Sequence, residues 1–245
     1  MLHRWHEHTL VEPVSLLALE QTAGRGRRGK TWISQAEDSL TFSIAYPFPK
    51  SFTMMQLQGL SLVCGLCILK SILQLLNLSE STGKHLGLGL KWPNDILLNH
   101  RKLGGVLVEG GQKSPHDPLW MIIGIGLNLK SPPITMGHLE ATSIAELNPG
   151  DHTIDAQSLY RLITVNMGDT LDLFSKESFS NFQDEWNHWD VWHNQMLSVH
   201  QEKQEIISGV SMGVNTEGYL LLNTPLGIKE VAAGDLSLSQ AKYAS

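Results

Sequence analysis

The sequence is poor in cysteine, with only Cys64 and Cys67 among 245 residues. A C-x-x-C pair can be a redox couple or half of a zinc site, but no second pair completes a four-cysteine set. The flanking sequence LSLVCGLCILK is strongly apolar, which favours two small buried residues three positions apart in a helix. This cysteine usage fits a reducing cytoplasm.

Charge is also scarce, and basic charge is the scarcer kind. Charged residues make up 17% of the chain, with 18 Lys and Arg against 24 Asp and Glu. The formal net charge of −6 argues against a bulk nucleic-acid binder, which is usually basic. Hydrophobic residues reach 42%, enough for a packed core, so we expect one large globular domain or one with a small appendage.

No apolar run is long enough and clean enough for a membrane span. The most apolar stretch, 57–76, is interrupted by Lys70 and several other polar residues, so it predicts a buried helix. The opening sequence MLHRWHEHTLVEP has no apolar segment of the signal-peptide kind. We therefore expect no membrane association.

Short strand-like segments dominate the rest of the chain. Candidate strands cover 14–21, 40–46, 86–92, 95–99, 102–110 and 119–129, and candidate helices cover 54–76, 155–174 and 178–192. The close spacing of the strands predicts a largely antiparallel or mixed sheet rather than βαβ units. After residue 193 the pattern changes to short strands, which predicts a small β-barrel and the domains 1–193 and 194–245.

Three tryptophans recur every third residue before that boundary: Trp186, Trp189 and Trp192. A stacking platform for bases is one interpretation. Packing against a neighbouring domain is the interpretation that we favour, because large aromatic side chains at helical spacing bury well.

A loop with the sequence AGRGRRGKTW, residues 23–32, is unusually rich in arginine and glycine. Its glycines match G-x-G-x-x-G, but the extended-looking KTWIS follows, so a dinucleotide fingerprint that opens a helix is not supported. Arg25, Arg27 and Arg28 carry planar guanidinium groups that match carboxylate and phosphate oxygens. We expect a loop that is mobile alone and orders on binding an anion; a solvated charged turn is the alternative.

A lysine follows the apolar strand LGLGL, at the start of KWPNDILL. Pro93 disfavours helical geometry at Trp92, so Lys91 is expected at the end of an extended segment. An ammonium fixed there can stabilise negative charge on a phosphate oxygen. Asn94 and Asp95 form a polar turn in which metal binding remains open.

Two later strands contain pairs of glycines. Gly104 and Gly105 are adjacent, whereas Gly124 and Gly126 alternate on one face and leave room for a flat ligand. Asn128 projects to that same face and can donate or accept hydrogen bonds. With the arginine loop and the lysine turn, these strands predict a single pocket.

The chain resembles the biotin protein ligases of the BirA type. The matching segments are QTAGRGRRGKTW, KWPNDI, RKLGGVLVE, GIGLNL and AAGDLSL, in the family's order across residues 14–238. The resemblance implies an α+β fold. Its parts are a mixed or antiparallel catalytic sheet, of the class II aminoacyl-tRNA synthetase and biotin ligase kind, and a C-terminal SH3-like β-barrel.

The resemblance also implies a reaction. ATP and biotin, with Mg²⁺, give biotinyl-5′-AMP, from which a lysine of the biotin carrier domain of acetyl-CoA carboxylase takes the biotinyl group. The implied catalytic residues are Lys91, Arg25 and Arg27. The implied biotin contacts are Gln21, Gly24, Arg25, Gly26, Lys91, Gly104, Gly124 and Gly126. The implied nucleotide contacts are Arg27, Arg28, Lys91 and Asn128. A homodimer is compatible with the resemblance.

Two parts of the family pattern have no counterpart. No helix-turn-helix precedes the loop, so we expect no repressor activity and no nucleic-acid partner. The Ser-Thr-Asn strand that contacts biotin is also missing, either because the recorded start lies downstream or because the pocket is weaker. A lipoate–protein ligase and a degenerate, non-catalytic binder of biotin or its adenylate remain as alternatives.

Overall fold

The computed structural model describes residues 1–115, 117–131, 140–147, 154–200 and 206–238. Within these ranges the chain is a mixed α+β protein with two antiparallel sheets. Its helices are α1 (Leu2–His6), α2 (Leu60–Leu75), α3 (Glu80–His85), α4 (Ala156–Glu177) and α5 (Gln183–Trp189). Its strands are β1 (Val14–Ala18), β2 (Ser39–Phe48), β3 (Leu88–Lys91), β4 (Asp95–Leu98), β5 (Arg101–Gly111), β6 (Leu119–Asn128), β7 (Met196–His200), β8 (Ile206–Val214), β9 (Leu220–Thr224), β10 (Gly227–Val231) and β11 (Asp235–Leu238).

The larger sheet has the strand order β1-β2-β6-β5-β4-β3, and every neighbouring pair is antiparallel. Its longest ladder joins β2 to β6, from Ser39 opposite Asn128 to Phe48 opposite Leu119. The antiparallel prediction is confirmed. Short connections such as the one between β3 and β4 leave no room for crossover helices, which is why the strands pair as hairpins.

Helix α2 is the core helix of this sheet. It begins after Gly59, whose φ of 79° is left-handed, and a short 3-10 helix over Met54–Leu57 precedes it. By length and composition the segment Met54–Leu75 could cross a membrane, yet 67% of its most apolar window is buried inside the protein. Cys64 and Cys67 are free thiols buried in this helix, as the apolar flanks predicted. Burial raises the pKa of the Cys64 thiol and raises that of Cys67 to about 11, which makes both poor nucleophiles.

The smaller sheet has the strand order β10-β9-β8-β7-β11 and is also antiparallel throughout. One face carries the buried side chains, among them Leu197, Val199 and Leu222. The segment IKEVAAG, 228–234, contains most of β10 and ends just before the separate strand β11.

The two sheets are in direct contact. The indole Nε1 of Trp92 donates to the carbonyl of Gly218 at 3.1 Å. Trp186, Trp189 and Trp192 are each at most 2% exposed, so they pack in the interior and offer no stacking platform. Their burial agrees with the favoured interpretation, although packing against a neighbouring domain stays a prediction.

Candidate active site

A single row of paired residues crosses all six strands of the larger sheet. In order from β1 to β3 its members are Ala18, Thr41, Gly126, Gly105, Asp95 and Lys91. Directly paired residues in neighbouring strands point to the same face of a sheet. The two glycines therefore leave bare backbone beside the carboxylate of Asp95 and the ammonium of Lys91.

Five members of the row, from Thr41 to Lys91, form the floor of a cavity of about 980 Å³. The arginine loop covers it, and β11 of the smaller sheet contributes Asp235 and Leu236 to its wall. Five cationic side chains reach the lining: Arg25, Arg27, Lys30, Lys91 and Lys102. A cavity of this size, with several positive charges in its lining, can hold two anionic reactants together.

The glycines divide between the two faces of the sheet. Gly124 and Gly126 line the cavity, as predicted, and so does Gly105. Gly104 is on the opposite face, which corrects its assignment to the pocket. A Cβ at Gly104 would lie 2.4 Å from Leu127 Cδ2, so this glycine is required by packing beneath the floor.

Asn128 and Gly24 support the site from outside the lining. The side-chain amide of Asn128 is 2% exposed and donates to the carbonyls of Lys102 and Thr142. The carbonyl of Gly24 accepts from the backbone N–H of Trp32 at 3.0 Å, and a Cβ at Gly24 would lie 2.2 Å from the Trp32 carbonyl oxygen. Neither residue lines the cavity, which departs from the predicted contacts.

The arginine loop is held by counter-charges from two distant strands. Arg25 forms an ion pair of 2.6 Å with Glu109 of β5, and Lys30 forms one of 2.8 Å with Asp235 of β11. Arg28 turns away from the floor and donates to the His200 carbonyl at 3.0 Å. These two carboxylates offset part of the positive charge of the loop.

Arg27 points inward from the loop. Its guanidinium donates to Asn94 Oδ1 at 3.4 Å, so the loop and the KWPND turn meet. Burial lowers the pKa of Arg27, opposed by the attraction of Asp235. The predicted convergence of Arg25, Arg27 and Lys91 on one cavity is what the structure shows.

Lys91, Asp95 and Lys102 form a compact charged cluster on the floor. Asp95 Oδ2 is 3.3 Å from the Lys91 ammonium, and Oδ1 is 2.6 Å from that of Lys102. Burial alone would raise the pKa of Asp95, but Lys102 and Lys91 outweigh it and hold that pKa below its ordinary value. Burial lowers the pKa of Lys91, against the opposing attraction of Asp95.

Trp32 and Thr41 line the cavity but were not predicted as ligand contacts, whereas Gln21, also in the lining, was. The Trp32 indole lies over Gly126, where an added Cβ would be 2.4 Å from its Cε2. Trp32 Nε1, Gln21 Oε1 and Thr41 Oγ1 are buried without a hydrogen-bond partner among the described residues. Such atoms are costly to leave unpaired, so they are ready contacts for a polar ligand. Lys102, Glu109 and Asp235 all lie in the matching motifs, but nothing in the sequence indicated that the two carboxylates pair with the arginine loop.

The profile of the Biotin/lipoate A/B protein ligase family matches residues 3–128. The chain belongs to this family. It is 30% identical over 226 residues to the bifunctional ligase/repressor BirA of Salmonella typhimurium, covering 91% of this chain and 65% of that protein. It is 34% identical over 138 residues to the biotin–[acetyl-CoA-carboxylase] ligase of Mycobacterium tuberculosis, covering 56% of this chain and 47% of that one.

The chain spans about two thirds of the length of the BirA relatives, 65% and 66% for the Salmonella and Escherichia coli proteins. Among solved structures it is similar to the biotin protein ligase of Aquifex aeolicus in complex with biotin and ATP. The TM-score is 0.76 at 28% identity, with 98% of this chain and 94% of that chain covered. The family fold is therefore shared along nearly the whole sequence.

Proposed function

We propose that this ligase-family chain joins biotin to a lysine of a biotin carrier domain in two steps. In the first, a biotin carboxylate oxygen attacks the α-phosphorus of ATP; the acyl–phosphate bond forms, the α–β phosphoanhydride breaks and pyrophosphate leaves. In the second, the carrier lysine attacks the acyl carbon, AMP leaves and the amine loses a proton. The convergence of cations on a glycine floor is the observation that carries this proposal.

The first step brings two anions into contact, and the positive charges of the cavity can reduce their repulsion. Arg25, Arg27 and Lys102 place positive charge on several sides of one space, where neutralisation of carboxylate and phosphate lowers their repulsion. Holding both reactants in reacting geometry is worth roughly 7–11 kcal/mol of the barrier. The bare backbone at Gly105 lets a flat group approach the sheet, whereas the backbone at Gly126 is covered by the Trp32 indole.

The arginine loop has a second use once the mixed anhydride forms. Because this intermediate is hydrolysed by water, it needs a cover until the carrier lysine arrives. The loop already spans the cavity from Glu109 to Asp235, so it can provide this cover.

Mg²⁺ is proposed as part of the nucleotide substrate. Within the part of the chain that the structure describes, there is no group of three His, Cys, Asp or Glu side chains that could hold a metal. Both oxygens of Asp95 are engaged by lysines. Since Mg²⁺ in such sites is held largely by phosphate oxygens and water, the residues present suit a magnesium–ATP complex.

The remaining features of the proposal concern the whole protein. The five-stranded sheet is proposed to be an SH3-like barrel that forms a domain over 194–245, next to a catalytic domain over 1–193. The carrier is proposed to be the acetyl-CoA carboxylase subunit, because relatives from Mycobacterium tuberculosis and Paracoccus denitrificans carry that name. We further propose that the protein is cytoplasmic and that it forms a homodimer. The proposal includes no nucleic-acid partner and no membrane partner.

The proposed function is tested by transfer of labelled biotin from ATP and biotin to a purified carrier domain. We expect ATP-dependent transfer and biotin-dependent pyrophosphate exchange. Lys102→Met should lower kcat by at least ~100-fold, since it removes a cation beside the reacting anions. The matched control is Lys70→Met, because Lys70 pairs with Glu185 on the helix surface.

Other outcomes would point to the alternatives. Transfer of lipoate in preference to biotin would assign the chain to the lipoate branch of the family. Tight binding of biotin without pyrophosphate exchange would identify a non-catalytic binder and contradict the proposal.

A further inference from the structure

The direction of the Lys102 side chain depends on an irregularity in its strand. The pairing of β4 with β5 shifts register beside Lys102, and Leu103 has no partner in β4, which is the pattern of a β-bulge. In a regular strand, residues three positions apart point to opposite faces, so Lys102 would face away from Gly105. The extra residue puts both on the cavity side, where the Lys102 ammonium lies 2.6 Å from Asp95 Oδ1. The bulge therefore aims this cation into the cavity.

Strand β5 also loses its other neighbour at this point. Its ladder with β6 ends where Gly104 pairs with Leu127. A later segment takes the place of β6: the N–H of Lys102 donates to the Glu140 carbonyl at 2.7 Å, and the Lys102 carbonyl accepts from the Thr142 N–H at 3.0 Å. Both hydrogen-bonding groups of the Lys102 backbone therefore contact a segment from outside the neighbouring strands.

Residues 140–147 form this clamp segment, and Glu146 connects it to β5. The Arg101 guanidinium donates to both carboxylate oxygens of Glu146, with a distance of 3.2 Å to Oε1. The Thr142 hydroxyl donates to the same Oε1 at 2.7 Å. The hydrogen bonds from Arg101 hold the pKa of Glu146 below its ordinary value, so the carboxylate stays ionised. One carboxylate thus joins the residue before Lys102 to the residue that binds the Lys102 carbonyl.

The clamp segment is attached to the protein independently of Glu146. Ile144 and Leu147 are 0% and 3% exposed in the main core, and the N–H of Ala145 donates to the Leu129 carbonyl at 3.0 Å. The side chains of the ion pair with Arg101 are 33% and 38% exposed, so its contribution to the free energy of folding is small. What the pair adds is the alignment of the clamp segment with the bulge.

We propose that Glu146 is a positioning residue for adenylate formation: it holds the clamp segment against the bulge and so fixes the direction in which Lys102 enters the cavity. This inference rests on the proposed function. Glu146 does not line the cavity, so it acts only through Lys102. Displacement of a reacting group by about 1 Å can cost ~100-fold in rate, so a small change in the bulge is enough to affect catalysis.

The first test is Glu146→Ala. We expect kcat for adenylate formation to fall about tenfold while the KM values for biotin and ATP stay within about twofold, because Lys102 acts on charge that develops in the transition state. The charge-swapped variant Arg101→Glu/Glu146→Arg should restore kcat to within about threefold of the wild type. The matched control is Glu185→Ala, which removes the partner of Lys70 on another surface and should leave kcat unchanged.

A double-variant cycle separates positioning from a purely structural role. If Glu146 acts through Lys102, Glu146→Ala should cost less than about twofold in the Lys102→Met background, whereas a structural role predicts the same tenfold loss in both backgrounds. An unchanged kcat in Glu146→Ala, or an equal loss in the Lys102→Met background, overturns the inference. Urea unfolding shows whether each variant is folded. If Glu146→Ala does not fold, the charge-swapped variant decides: a kcat within about threefold of the wild type supports the inference, and a larger loss overturns it.

Hydrogen exchange separates this inference from the proposed function, because it needs no reaction. Absence of pyrophosphate exchange in the wild type overturns the proposed function alone. In Glu146→Ala, the amide of Lys102 should exchange at least ~10-fold faster than in the wild type, while the amide of Ile123 in the middle of β6 should be unaffected. Unchanged exchange at Lys102 would show that Glu146 does not hold the clamp segment.

Discussion

Asp190 is a half-buried residue between α5 and β7, and one oxygen of its carboxyl is shielded from solvent. Its Oδ1 accepts from the backbone N–H of Trp192 at 3.0 Å, and its Oδ2 is buried without a partner in the described part of the chain. Burial raises the pKa of Asp190 to about 6, against an ordinary value of 3.8. An unpaired carboxyl of this kind favours the protonated form in the folded state.

The raised pKa predicts a pH-dependent stability. The contribution of protonated Asp190 to the free energy of unfolding is fully present below pH 3.8 and is lost as the pH rises through about 6. The reason is that the carboxyl of the unfolded chain loses its proton at a lower pH than that of the folded chain. Asp190→Asn should therefore leave the free energy of unfolding unchanged near pH 4 and raise it by about 2 kcal/mol at pH 8. Urea unfolding at both pH values checks this, with exposed Asp169→Asn as the control for loss of one charge. Equal effects at the two pH values would contradict it.

The glycines of β5 and β6 show which side-chain positions can be predicted from the sequence and which cannot. The alternation of Gly124 and Gly126 fixed their common face, because the side-chain period of a strand is two. The adjacent Gly104 and Gly105 gave no such information. Their faces depend on the pairing of β5 with β4, where the register shifts between Ile96 and Leu97, and a one-residue shift exchanges the faces.

At the scale of elements, the arginine loop illustrates what an ion pair can do besides stabilise. The pair between Arg25 and Glu109 is largely exposed, so its contribution to folding is small. Glu109 nevertheless occupies a guanidinium that an anionic substrate could use. Binding of that substrate must then displace a carboxylate that is already in place.

Glu109→Gln should therefore strengthen substrate binding. We expect the KM for biotin or ATP to fall about two- to fivefold, because removal of an exposed ion pair changes the free energy by at most ~1 kcal/mol. Steady-state kinetics at low and high salt measure this. The matched control is Glu185→Gln, whose pair with Lys70 has the same 2.6 Å separation on a different surface. A raised KM would show that Glu109 assists binding instead.

The elements themselves were largely predictable, with two informative exceptions. Strongly apolar or alternating segments such as β2 and β6 follow the sequence pattern closely. Helix α3 was not predicted because its six residues are too few to show a helical period, although the side chain of Ser79 caps it by accepting from Thr82 N–H. Strand β11 was not predicted, because its four residues are too few to show an alternating pattern.

At the scale of the whole molecule, the turn between β8 and β9 of the smaller sheet packs closely against the start of α2, and this contact leaves no room for a side chain at Gly218. A Cβ at Gly218 would lie 2.8 Å from the Cα of Gly59, and Gly218 has a left-handed φ of 79°. This contact is next to the hydrogen bond from Trp92, the residue that follows Lys91. The smaller sheet therefore supports the cavity floor as well as its wall.

Gly218→Ala tests that support. It should lower the free energy of unfolding by about 3 kcal/mol, through backbone strain and the clash with Gly59 together. Gly227→Ala has a comparable φ of 98° with open space around it, so it should cost only about 1 kcal/mol. Urea unfolding of the two variants gives the difference. Similar losses in the two variants would mean that the contact between Gly218 and Gly59 contributes little to stability.

Long-range contacts were the part that the sequence could not predict. Lys30 and Asp235 form an ion pair across 205 residues, and neither residue carries a local signal for the other. The motif AAGDLSL indicated membership of a family, but only the packing of β11 beside the loop gives its aspartate a partner. The cavity therefore depends on both ends of the chain.

The continuous row from Ala18 to Lys91 limits how this protein can change over evolution. Because all six strands must stay in register to keep Gly126, Gly105 and Asp95 on one surface, loss or gain of one residue inside β5 or β6 would rotate part of the floor towards the helices. Turns between strands face no such restriction. Length differences among homologues should accordingly collect in the turns, while the strand interiors keep a constant count of residues.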